Sequence, residues 1–150
     1  MGKTYGIDFD NTICVDEWPY IGPEIDGAIS TLKGIRERGD RLILITQRTT
    51  EYPIYCPELR EYLKETGRAG KPGTVDLLTP VIEFCKERGL EFDAIGENPW
   101  WELETQDPGR KIYADYYIDD HNLGIKTRPV KNRFGEVCMV VDWDWIATLL

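Results

Sequence analysis

This 150-residue chain contains a single histidine, His121, and its four cysteines (Cys14, Cys56, Cys85 and Cys138) lie far apart with no Cys-x-x-Cys pair. That scarcity argues against a structural zinc site, and reduced, mostly buried thiols are expected instead. Basic residues are also in deficit, 18 Lys and Arg against 27 Asp and Glu, for a net charge of −9. Proteins that track a phosphate backbone normally show a basic face, so the balance counts against long nucleic acids as partners. It leaves room for a small, locally basic pocket. No segment approaches the roughly 20 apolar residues of a membrane span. Asp8 and Asp10 interrupt the first apolar run, so neither a membrane partner nor a secretory leader is expected and the chain reads as cytoplasmic. Internal repeats and low-complexity tracts are absent.

What is present is an alternation of strand and helix signals in a length suited to one domain, residues 1–150. Residues 3–9 read as a first strand. Ile25, Ala28, Ile29, Leu32 and Ile35 form a helical stripe, opened by Pro23 and closed by Gly39. Leu42, Ile43, Leu44 and Ile45 are apolar on both faces, as a central parallel strand covered on each side must be. A second long helix ends near Gly89, with Leu78, Ile82 and Cys85 on one face; either Thr79 caps it or Pro80 kinks an earlier turn. Residues 91–96, 112–118 and 137–141 read as further strands, the last followed by a short helix from Asp142. The expected fold is α/β, a doubly wound, mainly parallel five-stranded sheet with right-handed crossovers and helices on both faces. Two stretches interrupt the repeat. Residues 49–73, with a short helix over 58–66, form an insertion that can act as a partial lid, and residues 97–109 carry Trp100, Trp101 and two prolines.

The chemistry begins at Asp8-Phe9-Asp10-Asn11-Thr12, where the first strand ends. Side chains two residues apart on extended backbone point the same way, and past the strand end they project from the carboxyl edge of a sheet, where open α/β folds place ligands. Thr46, with Gln47 and Arg48, follows the second strand; Asp119 and Asp120 follow the strand over 112–118, and Lys111 precedes it. In a parallel sheet, Asp8, Asp10, Thr46, Asp119 and Asp120 share one edge. Two carboxylates about 4 Å apart repel by roughly 4 kcal/mol at an effective dielectric near 20. Converging acids therefore call for a cation, and a hard divalent ion with oxygen ligands, Mg²⁺, meets that need. Lys111 adds a second positive charge.

The order Asp8-Phe9-Asp10-Asn11-Thr12, Thr46, Lys111, Asp119-Asp120 resembles the four motifs of the haloacid dehalogenase (HAD) superfamily, end to end. The strings LILITQR (42–48) and RKIYADYYIDDHNLG (110–124) look like its small capless bacterial phosphatases. That resemblance implies a HAD-like Rossmannoid fold without a full cap domain and hydrolysis of phosphate monoesters. It makes Asp8 the nucleophile that becomes an aspartyl-phosphate, and Asp10 the acid that protonates the leaving oxygen and then activates water. Thr46 and Lys111 would hold phosphoryl oxygens. Asn11, Thr12, Gln47 and Arg48 would contact substrate. Mg²⁺ would be bound by Asp8, the backbone carbonyl of Asp10, and the pair Asp119 and Asp120, with Asp119 the preferred direct ligand.

Bottom-up chemistry agrees: metal and Lys111 neutralise charge on the transferring group, which is most of what phosphoryl transfer asks of a protein. The dehalogenases of the superfamily lack a second acid, so Asp10 favours a phosphatase. Residues 12–46 hold only a turn, a flap around 15–22, and one helix, which leaves no room for a full cap. Trp18, Tyr20, Arg48, Trp100 and His121 are further candidate substrate contacts. The expected partner is a phosphorylated small molecule, with a nucleotide or polynucleotide as the alternative substrate. The rivals from another class are a non-catalytic phosphate-binding scaffold and a signalling receiver domain. The receiver arranges similar residues in a different order, adjacent acids first and Lys last.

Overall fold

A computed structural model of the chain describes residues 2–106 and 109–150. In chain order its elements are β1 (Thr4–Ile7), β2 (Cys14–Glu17), β3 (Tyr20–Glu24), α1 (Ala28–Glu37), β4 (Arg41–Leu44), β5 (Tyr52–Pro53), α2 (Pro57–Thr66), β6 (Thr74–Val75), α3 (Thr79–Glu87), β7 (Ala94–Ile95), α4 (Pro99–Thr105), β8 (Tyr116–Ile118), β9 (Thr127–Lys131), β10 (Val137–Val141) and α5 (Trp143–Leu149). Strands β7-β4-β1-β8 form a four-stranded sheet, parallel throughout. This mixed α/β arrangement is compatible with a Rossmann-like fold.

Register explains how the sheet is covered. Tyr5 pairs with Leu42 and Tyr116, and Ile7 with Leu44 and Ile118, so these residues share one face. Against that face pack Ile29, Leu32, Val81, Cys85, Trp143 and Ile146, from α1, α3 and α5, in the main core. Each such large apolar side chain contributes roughly 1.5–3 kcal/mol by leaving water. Gly6, Ile43 and Tyr117 face the other way. There a Cβ on Gly6 would meet Ile45 Cδ1 at 2.6 Å and Tyr117 Cδ1 at 3.0 Å, so only glycine lets these two side chains close over β1.

Several expected elements differ in extent or pairing. Val137–Val141 does not join the parallel sheet; it pairs antiparallel with β9 as a separate hairpin, leaving four strands rather than five. The strand expected over 112–118 is ordered only from Tyr116, because the Tyr117 hydroxyl donates to the Ile112 carbonyl and accepts from the Ala114 N–H, curling the preceding segment. Only Ala94–Ile95 of residues 91–96 is strand. Pro23 lies in β3, and α1 begins after Gly27, whose φ of 82° suits glycine. Neither reading of the α3 start holds: the Asp76 carboxylate accepts from the N–H groups of Leu78 and Thr79, and Pro80 sits in the first turn, where its missing N–H costs nothing. The flap is the β2–β3 hairpin, turning at a cis Trp18–Pro19 peptide. The 49–73 insertion supplies β5 and α2; β5 pairs with β6 just beyond its end, and Leu59 and Tyr62 are buried against Val75 and Leu77. In 97–109, Pro108 lies outside the described residues. No helix among the described residues is long and apolar enough to cross a membrane.

Candidate functional site

Because Ile7, Leu44 and Ile118 lie in mutual register, the residues that follow them leave the sheet at one edge. The Asp8 N–H donates to the Ile118 carbonyl (3.1 Å) and the Ile45 N–H to the Ile7 carbonyl (2.8 Å), so the ladder continues one residue into the site. A cavity of about 420 Å³ opens there, lined by Asp8, Asp10, Asn11, Thr46, Gln47 and Arg48, with Asp119, Asp120 and His121 across it. Asp16, Trp18, Ile45 and Tyr52 complete the lining. A groove of about 480 Å³ beside β8 is larger but contains no acid.

The acids meet under strain. Burial pushes the Asp8 carboxyl up to about 8, and the negative charge of Asp119 and a shared hydrogen bond with Asp120 add to the rise. Asp120 is raised too, chiefly by burial. Its side chain is 8% exposed, and Oδ1 is buried with no hydrogen-bond partner. Asp119 is more open, at 39%, and its Oδ1 accepts from the His121 N–H at 2.9 Å. Asp119, Asp120 and His121 each offer a ligand atom within 4.8 Å of the others. A buried, orphaned carboxylate oxygen beside a second carboxyl and an imidazole, with Asp8 next to them, is a poor arrangement for bare protein and one that fits a divalent cation. Of the acid pair, Asp120 holds the unpartnered buried oxygen, although the sequence reading preferred Asp119.

Two of the expected substrate contacts hold the loop together. Thr12 is fully buried; its hydroxyl donates to Asp8 Oδ2 (3.1 Å) and accepts from the Asp120 N–H (3.2 Å), tying the first acid to the last pair. Asn11, at φ 59°, accepts from the Asp16 N–H through Oδ1 (2.8 Å) and fixes the flap. The left-handed conformation is one Asn tolerates well.

Arg48 is not a free substrate contact. It is 3% exposed, and its Nε and Nη2 donate to Asp10 Oδ2 (2.9 Å) and Oδ1 (2.8 Å). Nη1 donates to the Pro19 carbonyl and Nη2 also to that of Tyr20, both at 2.9 Å. Thr46 lines the cavity, and its hydroxyl accepts from the Arg48 N–H (3.2 Å). Lys111 lines an adjoining cavity of about 390 Å³ that shares Asp8, Ile45 and Asp119 with the first. Its Nζ rests 4.4 Å from the centre of the Tyr117 ring, and no described carboxylate lies within ion-pair distance.

Among the other candidates, Trp18 and His121 face the cavity, while Tyr20 packs on Tyr62 and hydrogen-bonds Glu65. Trp100 is at the opposite end of the sheet, beneath the Arg41 guanidinium. Three contributors were not singled out from the sequence. Asp16 and Tyr52 line the cavity, and the Trp143 Nε1–H donates to the Thr12 carbonyl (2.7 Å), pinning the acid loop from α5. A Trp one residue into a C-terminal helix carries no sequence signal of that role.

No protein-family model matches the chain, and no curated protein matches it. Among solved structures it is similar to a conserved protein coded by locus from Bacteroides thetaiotaomicron, at 31% identity with a TM-score of 0.65. The similarity covers 99% of this chain and 89% of that one.

Proposed function

The chain belongs to the same family as that conserved Bacteroides protein, and for it we propose, from its site, a Mg²⁺-dependent phosphatase of the HAD type that hydrolyses a phosphate monoester through an aspartyl-phosphate on Asp8. One observation carries this reading: Asp8, Asp119 and Asp120 meet at the ends of adjacent parallel strands, around a buried carboxylate oxygen of Asp120 that has no partner.

In this mechanism a carboxylate oxygen of Asp8 attacks phosphorus, the bond from phosphorus to the leaving oxygen breaks, and Asp10 supplies that oxygen with a proton. Water then attacks the aspartyl-phosphate, gives its proton to Asp10, and frees inorganic phosphate and the Asp8 carboxylate. Thr46 holds a phosphoryl oxygen at the cavity wall. Lys111 reaches the phosphoryl group from the adjoining cavity by leaving the Tyr117 ring. Asp8, Asp119 and Asp120, with the backbone carbonyl of Asp10, would hold the ion, and Mg²⁺ when bound supplies charge neutralisation on the transferring group.

The Asp10–Arg48 pair favours a second, binding-only reading, since both oxygens of the proton donor already accept hydrogen bonds. One assay decides between them. Purified protein should release phosphate from an aryl phosphate only with Mg²⁺ present, and Asp8→Asn should abolish turnover while retaining the fold. Equal release in excess chelator, or full activity of the Asp8→Asn protein, sinks the proposal; Mg²⁺-dependent phosphate binding without turnover selects the binding-only reading.

A further inference from the structure

We propose that Trp18, Tyr52 and Tyr55 form a selector for the leaving group, so that the site takes monoesters whose alcohol presents a ring face and carries no second anionic group. This rests on the phosphatase reading and names the substrate class of the same site. Trp18 comes from the tip of the flap and the two tyrosines from the 49–73 insertion, yet the three rings meet at one rim. Trp18 stacks on Tyr55 at 6.5 Å and 28°, and meets Tyr52 edge-on at 5.8 Å; Tyr52 and Tyr55 lie 6.3 Å apart. Trp18 and Tyr52 line the same cavity as Asp8 and Asp10. Tyr55 is not itself a lining residue but touches both rings that are, and it remains 67% exposed, unlike the buried Tyr62 at 3%. At about 420 Å³ the cavity has room for a ring beyond the phosphoryl group.

Charge supplies the other half of the argument. On this side the lining acids are Asp10 and Asp16, and the guanidinium of Arg48 is fully engaged by Asp10 and the flap carbonyls. Lys111 lies in the adjoining cavity, on the far side of Asp8. His121 stands beside Asp119 and Asp120. Among the described lining residues no unengaged lysine or arginine faces the leaving group, so a second phosphate or carboxylate there would meet Asp16 rather than a partner. Aromatic faces, in contrast, suit flat apolar or ring C–H surfaces.

The test compares benzyl phosphate, ethyl phosphate and 4-carboxybenzyl phosphate, all esters of primary alcohols, in steady-state assays with Mg²⁺. Calorimetric binding of benzylphosphonate and ethylphosphonate runs in parallel as a readout independent of turnover. Benzyl phosphate should exceed both other esters in kcat/KM by about five- to tenfold, mainly through KM, and benzylphosphonate should bind tighter than ethylphosphonate. Tyr55→Ala, at an exposed position, and Trp18→Ala should each collapse the benzyl-to-ethyl ratio. A nucleoside 5′-monophosphate and a hexose 6-phosphate then distinguish a base from a sugar as the ring.

Equal KM values for benzyl and ethyl esters, undiminished use of the carboxylated ester, or an unchanged ratio in Tyr55→Ala would overturn the selector while leaving the phosphatase intact. Tighter benzylphosphonate binding without any turnover would retire the phosphatase reading and keep the rim as a ring-binding surface. Absence of both turnover and phosphonate preference overturns both.

Discussion

Arg48 and Asp10 form a two-pronged ion pair, 2.9 and 2.8 Å, in which the guanidinium is almost wholly buried while the carboxylate keeps 25% of its exposure. The same guanidinium holds the carbonyls of Pro19 and Tyr20, so one side chain links the acid loop to the turn of the flap. Replacing it by Ala strands two carbonyls and one carboxylate at once. Partial exposure of Asp10 tempers the loss, and Arg48→Ala should cost roughly 2–4 kcal/mol, read as a lower urea midpoint. Arg48→Lys restores charge but not the fork, and should recover less than half of that. If Asp10 is the acid, Arg48→Ala should also lower kcat at least about tenfold, because the carboxyl group loses its orientation. A midpoint equal to wild type would show that the clamp is unimportant.

Protonation of Asp8 gives a second expectation, for metal-free protein. Its carboxyl lies at about 8 in the folded chain against an ordinary 3.8. Between those values the folded state keeps a proton that the unfolded state has released, so this group's contribution to stability is full below about pH 4 and is lost as pH rises through about 8. In chelator, the wild-type melting temperature should therefore fall from pH 5 to pH 8 relative to that of Asp8→Asn. At pH 8 the variant should be the more stable by at least about 1 kcal/mol, some 2–4 °C for a chain of this size. Parallel melting curves across that window would contradict the burial of Asp8 among like charges.

Much of this site was legible because it depends on parallel strands alone. Asp8, Thr46 and Asp119 each follow an apolar run, and parallel register brings such positions to one edge without knowledge of any side-chain contact. The fate of Arg48 was not legible, since its partners Pro19 and Tyr20 lie on a hairpin whose placement depends on tertiary packing. The Val137–Val141 strand failed for a related reason. An apolar run states neither which neighbour a strand takes nor that both of its faces are covered; here Val137 and Met139 are exposed, and β9 with Pro129 at its centre lies antiparallel beside the strand. Asp120 was named as one of a pair, but only burial distinguishes its orphaned Oδ1 from the partnered oxygen of Asp119.

That orphaned oxygen leads to a third expectation. With Asp120 as a ligand, Mg²⁺ at a hundred times its dissociation constant should stabilise wild-type protein by about 2.7 kcal/mol. Asp120→Ala should weaken Mg²⁺ binding at least about tenfold by calorimetry, since even outer-shell partners of a metal cost that much. The same variant should melt higher than wild type in chelator, because it removes a raised carboxyl from the pair with Asp8. The two shifts have opposite signs, which a general packing defect does not produce. Undiminished Mg²⁺ binding by Asp120→Ala would assign the ion elsewhere.

The contact from Trp143 to Thr12 gives the last. The indole is 1% exposed and its N–H reaches the Thr12 carbonyl at 2.7 Å, while the Thr12 hydroxyl bridges Asp8 and the Asp120 N–H. Trp143→Phe keeps an aromatic ring in the core but removes the donor, leaving a buried carbonyl unsatisfied at a cost of about 1–3 kcal/mol. Thr12→Val, isosteric and leaving the carbonyl that the indole holds in place, removes the hydroxyl bridge instead. If Trp143 acts through Thr12, the double variant should lose less stability than the sum of the single losses, by at least about 0.5 kcal/mol in a urea double-mutant cycle. Strict additivity would mean that the indole merely fills space beneath the loop and does not hold the acids in place.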